Sequence, residues 1–437
     1  MKLRLCCVFA LLLESISGFA QGFTSYFTGN PLDAVTTPSG GVCLMGGAGE
    51  DDNGMKWFLE RVNGGDVLVL RASGSDGYND YLYSELGIDI NSVETIVFNN
   101  PNAANLEEIH NRIMQAEGIW LAGGDQWDYV SFWRDTPVAS LINDGIANRN
   151  IVIGGTSAGM AVLGEYYFSA INGTVTSTTA LNIPYSTSVV VDSTSFLQVP
   201  YLERVVTDTH YDDPDRKGRH TVFLARALTD YGLVTRGIAC EEYTAVCIDE
   251  TGTAKVFGEY PDHQDVAYFI IPNCELPNPM PEVCAPNNAL EWNHDGQALK
   301  VYEVNGTTNG VNTFDLNTWG TGQGGTWMHW HVVDGTLYES EGTAPNCPAN
   351  TSEVAADYLM VYPNPTSALL HLPLTNLAGI EPGGLNVHVT DNVGRELPVT
   401  AHLSGNRIEV NCSALPDGLY QIVWNQGASM SRFQVMH

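Results

Sequence analysis

The sequence is short of positive charge. Its 437 residues hold 19 Lys and Arg against 50 Asp and Glu, a formal net charge of −31. So acidic a surface repels polyanions, which argues against nucleic acid and anionic lipid as partners. Long apolar runs are also missing, and the early stretch from Leu5 to Leu13 is too short to span a bilayer. With Lys2 and Arg4 ahead of it and Gly18 and Ala20 behind, that stretch reads as a secretory signal over residues 1–20, cleaved after Ala20. The remaining chain has 49 acidic and 17 basic residues and is expected to be soluble and exported. No C-x-x-C spacing occurs, so the paired signature of a structural zinc site is lacking. No long internal repeat is visible, which argues against a solenoid.

Of the nine cysteines, Cys6 and Cys7 leave with the signal, and Cys43, Cys240, Cys247, Cys274, Cys284, Cys347 and Cys412 remain. Export permits disulfides. Cys274 and Cys284, flanking the proline-rich ELPNPMPEV, are the best-placed pair, and Cys240 with Cys247 is an alternative. An odd number leaves at least one thiol unpaired or joined to another chain.

From Gly40 to about Glu250, short β-branched or leucine runs alternate with helical patterns. VCLMGG precedes MKWFLERV, DVLVLRA precedes NDYLYSEL, GIWLAGG precedes QWDYVSFW, and NIVIGG precedes AGMAVLG. That alternation predicts βαβ units, hence an α/β fold with a mostly parallel sheet and helices on both faces. Chemistry in such folds sits at the carboxyl ends of strands. The glycine-rich GGAGED, GGDQ and GGTSAG all fall there. An α/β domain is therefore expected over 21–264, with a β-rich extension over 265–342. A linker over 343–356 leads to a small C-terminal β-sandwich over 357–437, where polar and apolar residues alternate between turn signals.

The segment IVIGGTSAGMAVLG contains G-x-S-x-G from Gly155 to Gly159, between a strand and a helix. Such a corner pushes Ser157 out of the backbone, and its small neighbours let strand and helix approach. The helix start offers free N–H groups, that of Ala158 among them, to a developing oxyanion. The same small residues would equally pack a tight, inert corner. A nucleophilic serine needs a base, and the base an orienting carboxylate. His210 closes a strand-like run in RVVTDTHYDDPDRKGRH, while His220 opens the helix that follows and is expected to cap or pack it. Glu241 and Glu242 lie between two apolar runs in RGIACEEYTAVCID, and adjacent strand residues face opposite ways, so only one can reach the site. The chain order Ser157, His210, Glu242 differs from α/β-hydrolases, where the acid precedes the histidine, and excludes that family.

GIWLAGGDQ, DTPV, GGTSAGM, DTHYDDPDRKGR and GIACEEYTA together resemble, in order and spacing, the cyanophycinases and related α-aspartyl dipeptidases. The resemblance covers Gly40 to Glu250 and is nearest to secreted cyanophycinase-like proteins of Bacteroidetes. It implies a fold similar to class I glutamine amidotransferases and flavodoxin, and a serine-type peptidase with no cofactor or metal. It places the nucleophile on Ser157, the base on His210 and the acid on Glu242. An oxyanion hole would come from Ala158 and Gly124. Substrate-holding positions would fall on Gln126, Asp208, Thr209, Arg216 and Arg219. A guanidinium would suit an aspartyl carboxylate, and Asp208 a substrate guanidinium or amine. Two positions depart from the family: Thr209 stands where cyanophycinases carry glutamine, and Pro214 where they carry arginine. The expected substrate is thus cyanophycin, with its β-Asp-Arg units, or a related aspartyl or isoaspartyl peptide cleaved through an acyl-enzyme. A surface binding protein that keeps the fold without turnover is the alternative, and a homodimer is left open.

At the C-terminus, YPNPT from Tyr362, then DNVGREL and DGLYQIVW, resemble a type IX secretion sorting domain. That implies export to the cell surface or beyond through that machinery. An accessory carbohydrate-binding sandwich fits the same strand pattern.

Other features read as structural. His329 and His331 share a strand face in WMHWHV but lack a nearby third ligand, so paired surface histidines are expected rather than a metal site. Glu50, Asp51 and Asp52 lack the spaced oxygens of a calcium loop and are expected to cap a helix. GGAGE fails the glycine spacing of a dinucleotide fingerprint. Trp127, Tyr129, Phe132 and Trp133 read as helix core, with Trp127 near enough to Gln126 to reach a pocket.

Overall fold

The computed structural model describes residues 22–193, 196–347, 361–373, 387–391, 395–404, 407–424 and 429–437. The predicted signal over 1–20 lies outside these residues, as does the predicted linker beyond residue 347.

The first sheet is built around five short apolar strands: β2 (Val42–Met45), β3 (Asp66–Arg71), β4 (Ser92–Phe98), β5 (Gly118–Leu121) and β6 (Val152–Thr156). They run parallel in the order β4-β3-β5-β6-β2. Runs such as VLVL are buried on both faces, the signature of a strand covered by helices on each side. Antiparallel strands extend both edges. β1 (Phe23–Gly29) pairs with β4; β11 (Ala245–Ile248) pairs with β2 and leads to β12 (Thr253–Phe257), β15 (Asn312–Asp315) and β16 (Gly322–Gln323).

A second sheet has a parallel centre of β7 (Tyr166–Phe168), β9 (Val205–Asp208) and β10 (Arg236–Cys240). β8 (Val191–Ser193) closes one side. On the other, β13 (Val266–Pro272), β14 (Leu299–Asn305), β17 (Gly325–Val333) and β18 (Thr336–Glu341) follow as an antiparallel meander. The segment 265–342 therefore extends both sheets instead of standing apart from them. The fold is α/β, with parallel pairing concentrated in the sheet centres.

Helix ends follow local chemistry. In α1 (Asp52–Val62) the Asp51 carboxylate accepts from the Gly54 N–H at 2.7 Å, the capping role expected of the acidic run, and Asn63 ends the helix at φ 56°. α2 (Glu107–Gln115) and α3 (Gln126–Trp133) precede α4 (Pro137–Arg149), which starts on Pro137 and stops at left-handed Asn150. α5 (Ala158–Ala161) is one turn long, and α6 (Ser177–Asn182) packs near the start of α7 (Lys217–Tyr231). From Gly218 to Leu228 α7 is buried all round, and His220 within it is wholly enclosed. Tyr211 Oη lies 3.2 Å from its Nδ1 and the Val206 carbonyl 3.1 Å from its Nε2, so it packs as expected. Burial pushes its imidazole down to about 4.

The cysteine pairing differs from expectation. Cys274 is bonded to Cys347, not Cys284. The proline-rich segment carries Cys284 into the apolar core beside Leu290 and Trp292. The chain after β18 returns to Cys274 instead, where the Asn346 N–H donates to Glu275 at 2.7 Å and Lys300 reaches the Thr343 carbonyl at 3.3 Å. Cys240 and Cys247 are unpaired thiols on different sheets; Cys247 faces Cys43 across β2 and β11, with sulfurs 3.5 Å apart. His329 also departs from expectation: it is buried near Lys300 instead of lying at the surface, while His331 stacks on Tyr338. Among the described residues no group of three or more His, Cys, Asp or Glu could hold a metal ion. No described helix is long and apolar enough to cross a membrane.

The described part of 361–437 forms a three-stranded and a four-stranded antiparallel sheet. It meets the α/β region where the Tyr231 hydroxyl accepts from Asn364 at 2.7 Å and the Arg134 guanidinium stacks over Tyr362 at 4.4 Å.

Candidate active site

Ser157 sits between β6 and α5 at φ 52°, ψ −118°, a conformation few side-chain-bearing residues adopt. Its neighbours explain their own size. A Cβ on Gly159 would lie 2.0 Å from the Leu121 carbonyl oxygen, and one on Gly155 would lie 2.6 Å from the Gly159 carbonyl carbon. Only hydrogen at both positions lets α5 come this close to β5 and β6. The small-residue corner thus holds the serine in a strained backbone while packing tightly.

His210 follows β9, itself at φ 46°, and its N–H donates to the Gly46 carbonyl at 2.9 Å. The Ser157 hydroxyl lies 2.8 Å from His210 Nε2, and Glu242 Oε1 lies 2.6 Å from Nδ1. Both side chains of the His–Glu pair are 22 % exposed, so the line of groups is shielded but reachable. Glu242 is fixed from behind: its N–H donates to Asp212 at 3.0 Å, and the Thr244 hydroxyl donates to its carbonyl at 3.2 Å. Glu241 points elsewhere, accepting from the Val266 N–H at 2.9 Å and the Tyr268 hydroxyl at 2.7 Å. Adjacent glutamates do face opposite ways.

The turn after β5 lies alongside. A Cβ on Gly123 would stand 3.6 Å from the Ser157 Cβ, whereas Gly124 is one step further out and exposed. The Tyr129 hydroxyl bonds the Ala122 carbonyl at 2.8 Å and the Gly123 carbonyl at 3.0 Å. Ala158 is the first residue of α5, where an N–H has no partner within the helix. Gln126 opens α3 and donates its side-chain N–H to the Phe168 carbonyl at 3.2 Å; Trp127 and Phe132 are half-buried, and Tyr129 and Trp133 are core.

The expected substrate-holding set divides. Asp208 and Arg219 are 3 % exposed and hold each other: Arg219 Nε and Nη2 meet the two Asp208 oxygens at 2.9 and 2.5 Å. Arg219 Nη1 contacts Thr174 and Val175. Burial alone would raise the Asp208 carboxyl, but the Arg219 charge and hydrogen bonds hold it below the ordinary carboxylate range. The two groups expected to hold substrate thus hold each other. Thr209 is buried, and its carbonyl accepts from Arg216 Nη1 at 3.0 Å. Arg216 is different. It is half-buried, its Nε lacks a hydrogen-bond partner among the described residues, and burial with the nearby Arg219 charge lowers its affinity for a proton despite Asp208 and Glu242. An anion beside it would relieve both costs.

Sequence reasoning placed the glycines after β2 at a strand's carboxyl end but gave Gly47 no role. Gly47, at φ 114°, lies close against the His210 imidazole, for a Cβ there would be 2.5 Å from Nε2. The Ser157 N–H donates to the Met45 carbonyl at 3.1 Å and the Tyr243 N–H to the Gly47 carbonyl at 3.1 Å, so one turn ties the serine, histidine and glutamate loops together. The available signal was a double glycine at the carboxyl end of a strand in GGAGED.

Residues 76–254 match the model of peptidase family S51, and residues 360–435 that of the secretion system C-terminal sorting domain. Over that first segment the chain is similar to S51 peptidases. It is similar to the cyanophycinase of Synechococcus elongatus, 25% identical over 268 residues, covering 57% of this chain and 78% of that protein. The cyanophycinase of Trichormus variabilis is 24% identical over 178 residues, 41% of this chain and 54% of the relative. Among solved structures, a peptidase from an acI-B1 Actinobacterium matches 51% of this chain and 89% of its own at 17% identity, with a TM-score of 0.38.

Proposed function

We propose that the protein is a secreted serine-type peptidase that cleaves aspartyl or isoaspartyl bonds through an acyl-enzyme, cyanophycin being the reference substrate. The observation that carries this reading is the unbroken line from the Ser157 hydroxyl through the His210 imidazole to the Glu242 carboxylate, at 2.8 and 2.6 Å. His210 takes the Ser157 proton as the oxygen attacks the scissile carbonyl, and Glu242 fixes the ring and balances the imidazolium. The N–H groups of Ala158 and of the turn carrying Gly124 receive the oxyanion. The imidazolium then protonates the leaving amine, and water, deprotonated by His210, releases the acyl group. Arg216 is the residue with donors to spare for a substrate carboxylate.

The cyanophycinases among its relatives support a β-Asp-Arg polymer as a substrate, and the sorting domain supports export by the type IX route to the cell surface or beyond. Thr209 and Pro214 make that polymer one of several aspartyl substrates to compare. Purified wild type and Ser157→Ala are incubated with β-Asp-Arg polymer, β-aspartyl dipeptides and α-aspartyl dipeptides. Release of amine by wild type alone supports the proposal. Equal rates in both, or none with any aspartyl substrate, would leave a binding protein as the better reading.

A further inference from the structure

We infer that Tyr129, a residue whose pattern reads as helix core, is the positioning residue of the oxyanion hole. The inference rests on the serine-peptidase reading above and adds what holds its electrostatic half in place. A turn that receives an oxyanion must present N–H groups in a fixed direction before charge develops. The turn Ala122–Gly124 has few internal restraints, since two of its three residues are glycine. One buried phenol supplies them. The Tyr129 hydroxyl binds two successive carbonyls, those of Ala122 and Gly123, at 2.8 and 3.0 Å. In a trans peptide the C=O and the following N–H point opposite ways. Drawing both carbonyls toward Tyr129 turns the N–H groups of Gly123 and Gly124 away from it.

The far side is where the chemistry is. Gly123 stands against Ser157, whereas a Cβ on Gly124 would meet the Tyr129 hydroxyl at 3.0 Å. The serine thus meets the turn at Gly123, and the phenol meets it at Gly124 and the two carbonyls. Tyr129 is itself immobile: it is fully buried and stacked on Trp133, with centroids 4.5 Å apart and planes 11° from parallel. Burial pushes its hydroxyl well above the ordinary phenol range, so the proton stays on the oxygen wherever a peptidase works. At the other end of the turn Asp125 accepts from the Trp127 N–H at 2.8 Å, so the segment is held from both sides.

Tyr129→Phe keeps the ring and removes only the hydroxyl, whose single proton is shared between the two carbonyls. The full-length variant is first shown to melt cooperatively. Ser157 is then labelled with a fluorophosphonate, whose trigonal-bipyramidal oxyanion uses the same hole and which needs no knowledge of the peptide substrate. The labelling rate is expected to fall about 10- to 100-fold, a share of the loss seen when an oxyanion donor is deleted. On a cleaved aspartyl peptide kcat should fall by a similar factor with KM unchanged, and a peptide aldehyde, which forms a hemiacetal oxyanion, should lose affinity in parallel. Should Tyr129→Phe not fold, 3-fluorotyrosine at 129 takes its place; it keeps the donor and should label at least as fast as wild type. An unchanged labelling rate in the phenylalanine variant, a kcat loss without loss of aldehyde affinity, or slower labelling with fluorotyrosine would overturn the inference. Failure of wild type to label at all would instead sink the peptidase reading beneath it.

Discussion

Replacing Glu242 by glutamine tests the line of groups at the link between the imidazole and its carboxylate. The carboxylate oxygen is 2.6 Å from His210 Nδ1, and both side chains are 22 % exposed. When His210 takes the Ser157 proton, a cation forms beside this anion, with charge centres roughly 4 Å apart. At an effective dielectric near 20 that attraction is worth about 4 kcal/mol, and partial exposure lowers it to about 2–3 kcal/mol. Glutamine removes the charge and can turn its amide toward Nδ1, favouring the tautomer that cannot accept the serine proton. The expected loss in kcat is therefore at least about 30-fold, rising to about 10³-fold or more if the tautomer is also wrong. KM should change little, because the glutamate is not assigned a substrate contact. Steady-state hydrolysis of an aspartyl peptide measures both parameters. Glu241→Gln is the internal control: its carboxylate meets Val266 and Tyr268, so its effect should appear in the melting temperature more than in kcat. A Glu242→Gln enzyme within about 3-fold of wild type, or a larger kcat loss in Glu241→Gln, would refute the assignment.

Other consequences are equally open to measurement. Gly47→Ala puts a methyl 2.5 Å from His210 Nε2 at a φ of 114°, so kcat should fall about 100-fold or more; an active variant would contradict the contact. His220 is held near 4 against an ordinary 6.5, so its contribution is whole above pH 6.5 and is lost as pH falls toward 4. Urea unfolding should show roughly 2–4 kcal/mol lost over that window in wild type and a shallower slope in His220→Leu; parallel slopes would contradict it. The Cys274–Cys347 bond closes a separation of 73 residues, so Cys347→Ser should cost up to about 4 kcal/mol. Non-reducing peptide mapping of Cys284→Ser should still recover that bond.

The α/β fold was legible because VLVL, IWL and IVI are too apolar and too short for anything but strands buried on both faces. The corner at Ser157 was legible for a related reason: small residues after a strand have few uses, and His210 and Glu242 followed in an order that admits few enzymes. What escaped was decided in three dimensions. Asp208 and Arg219 look like free ions in DTHYDDPDRKGR, but one lies on a strand and the other on the helix above it, and burial leaves each as the other's partner. Cys284 appeared suited to Cys274 by proximity in the chain, yet its neighbours draw it into the core and a residue 73 positions away closes the bond. Gly47 touches the site through His210, far away in sequence, and Tyr129 through the carbonyls six and seven residues before it, contacts that depend on how strand and helix fold back on each other.

The central claim is that Ser157 is the nucleophile activated by His210 and Glu242. Intact-protein and peptide mass spectrometry after brief acid quench of wild type with an aspartyl substrate tests it most directly. The account predicts an acyl adduct on Ser157 in wild type, absent in Ser157→Ala and strongly reduced in His210→Ala. Turnover without an adduct on Ser157, or with an adduct on another residue, would contradict it.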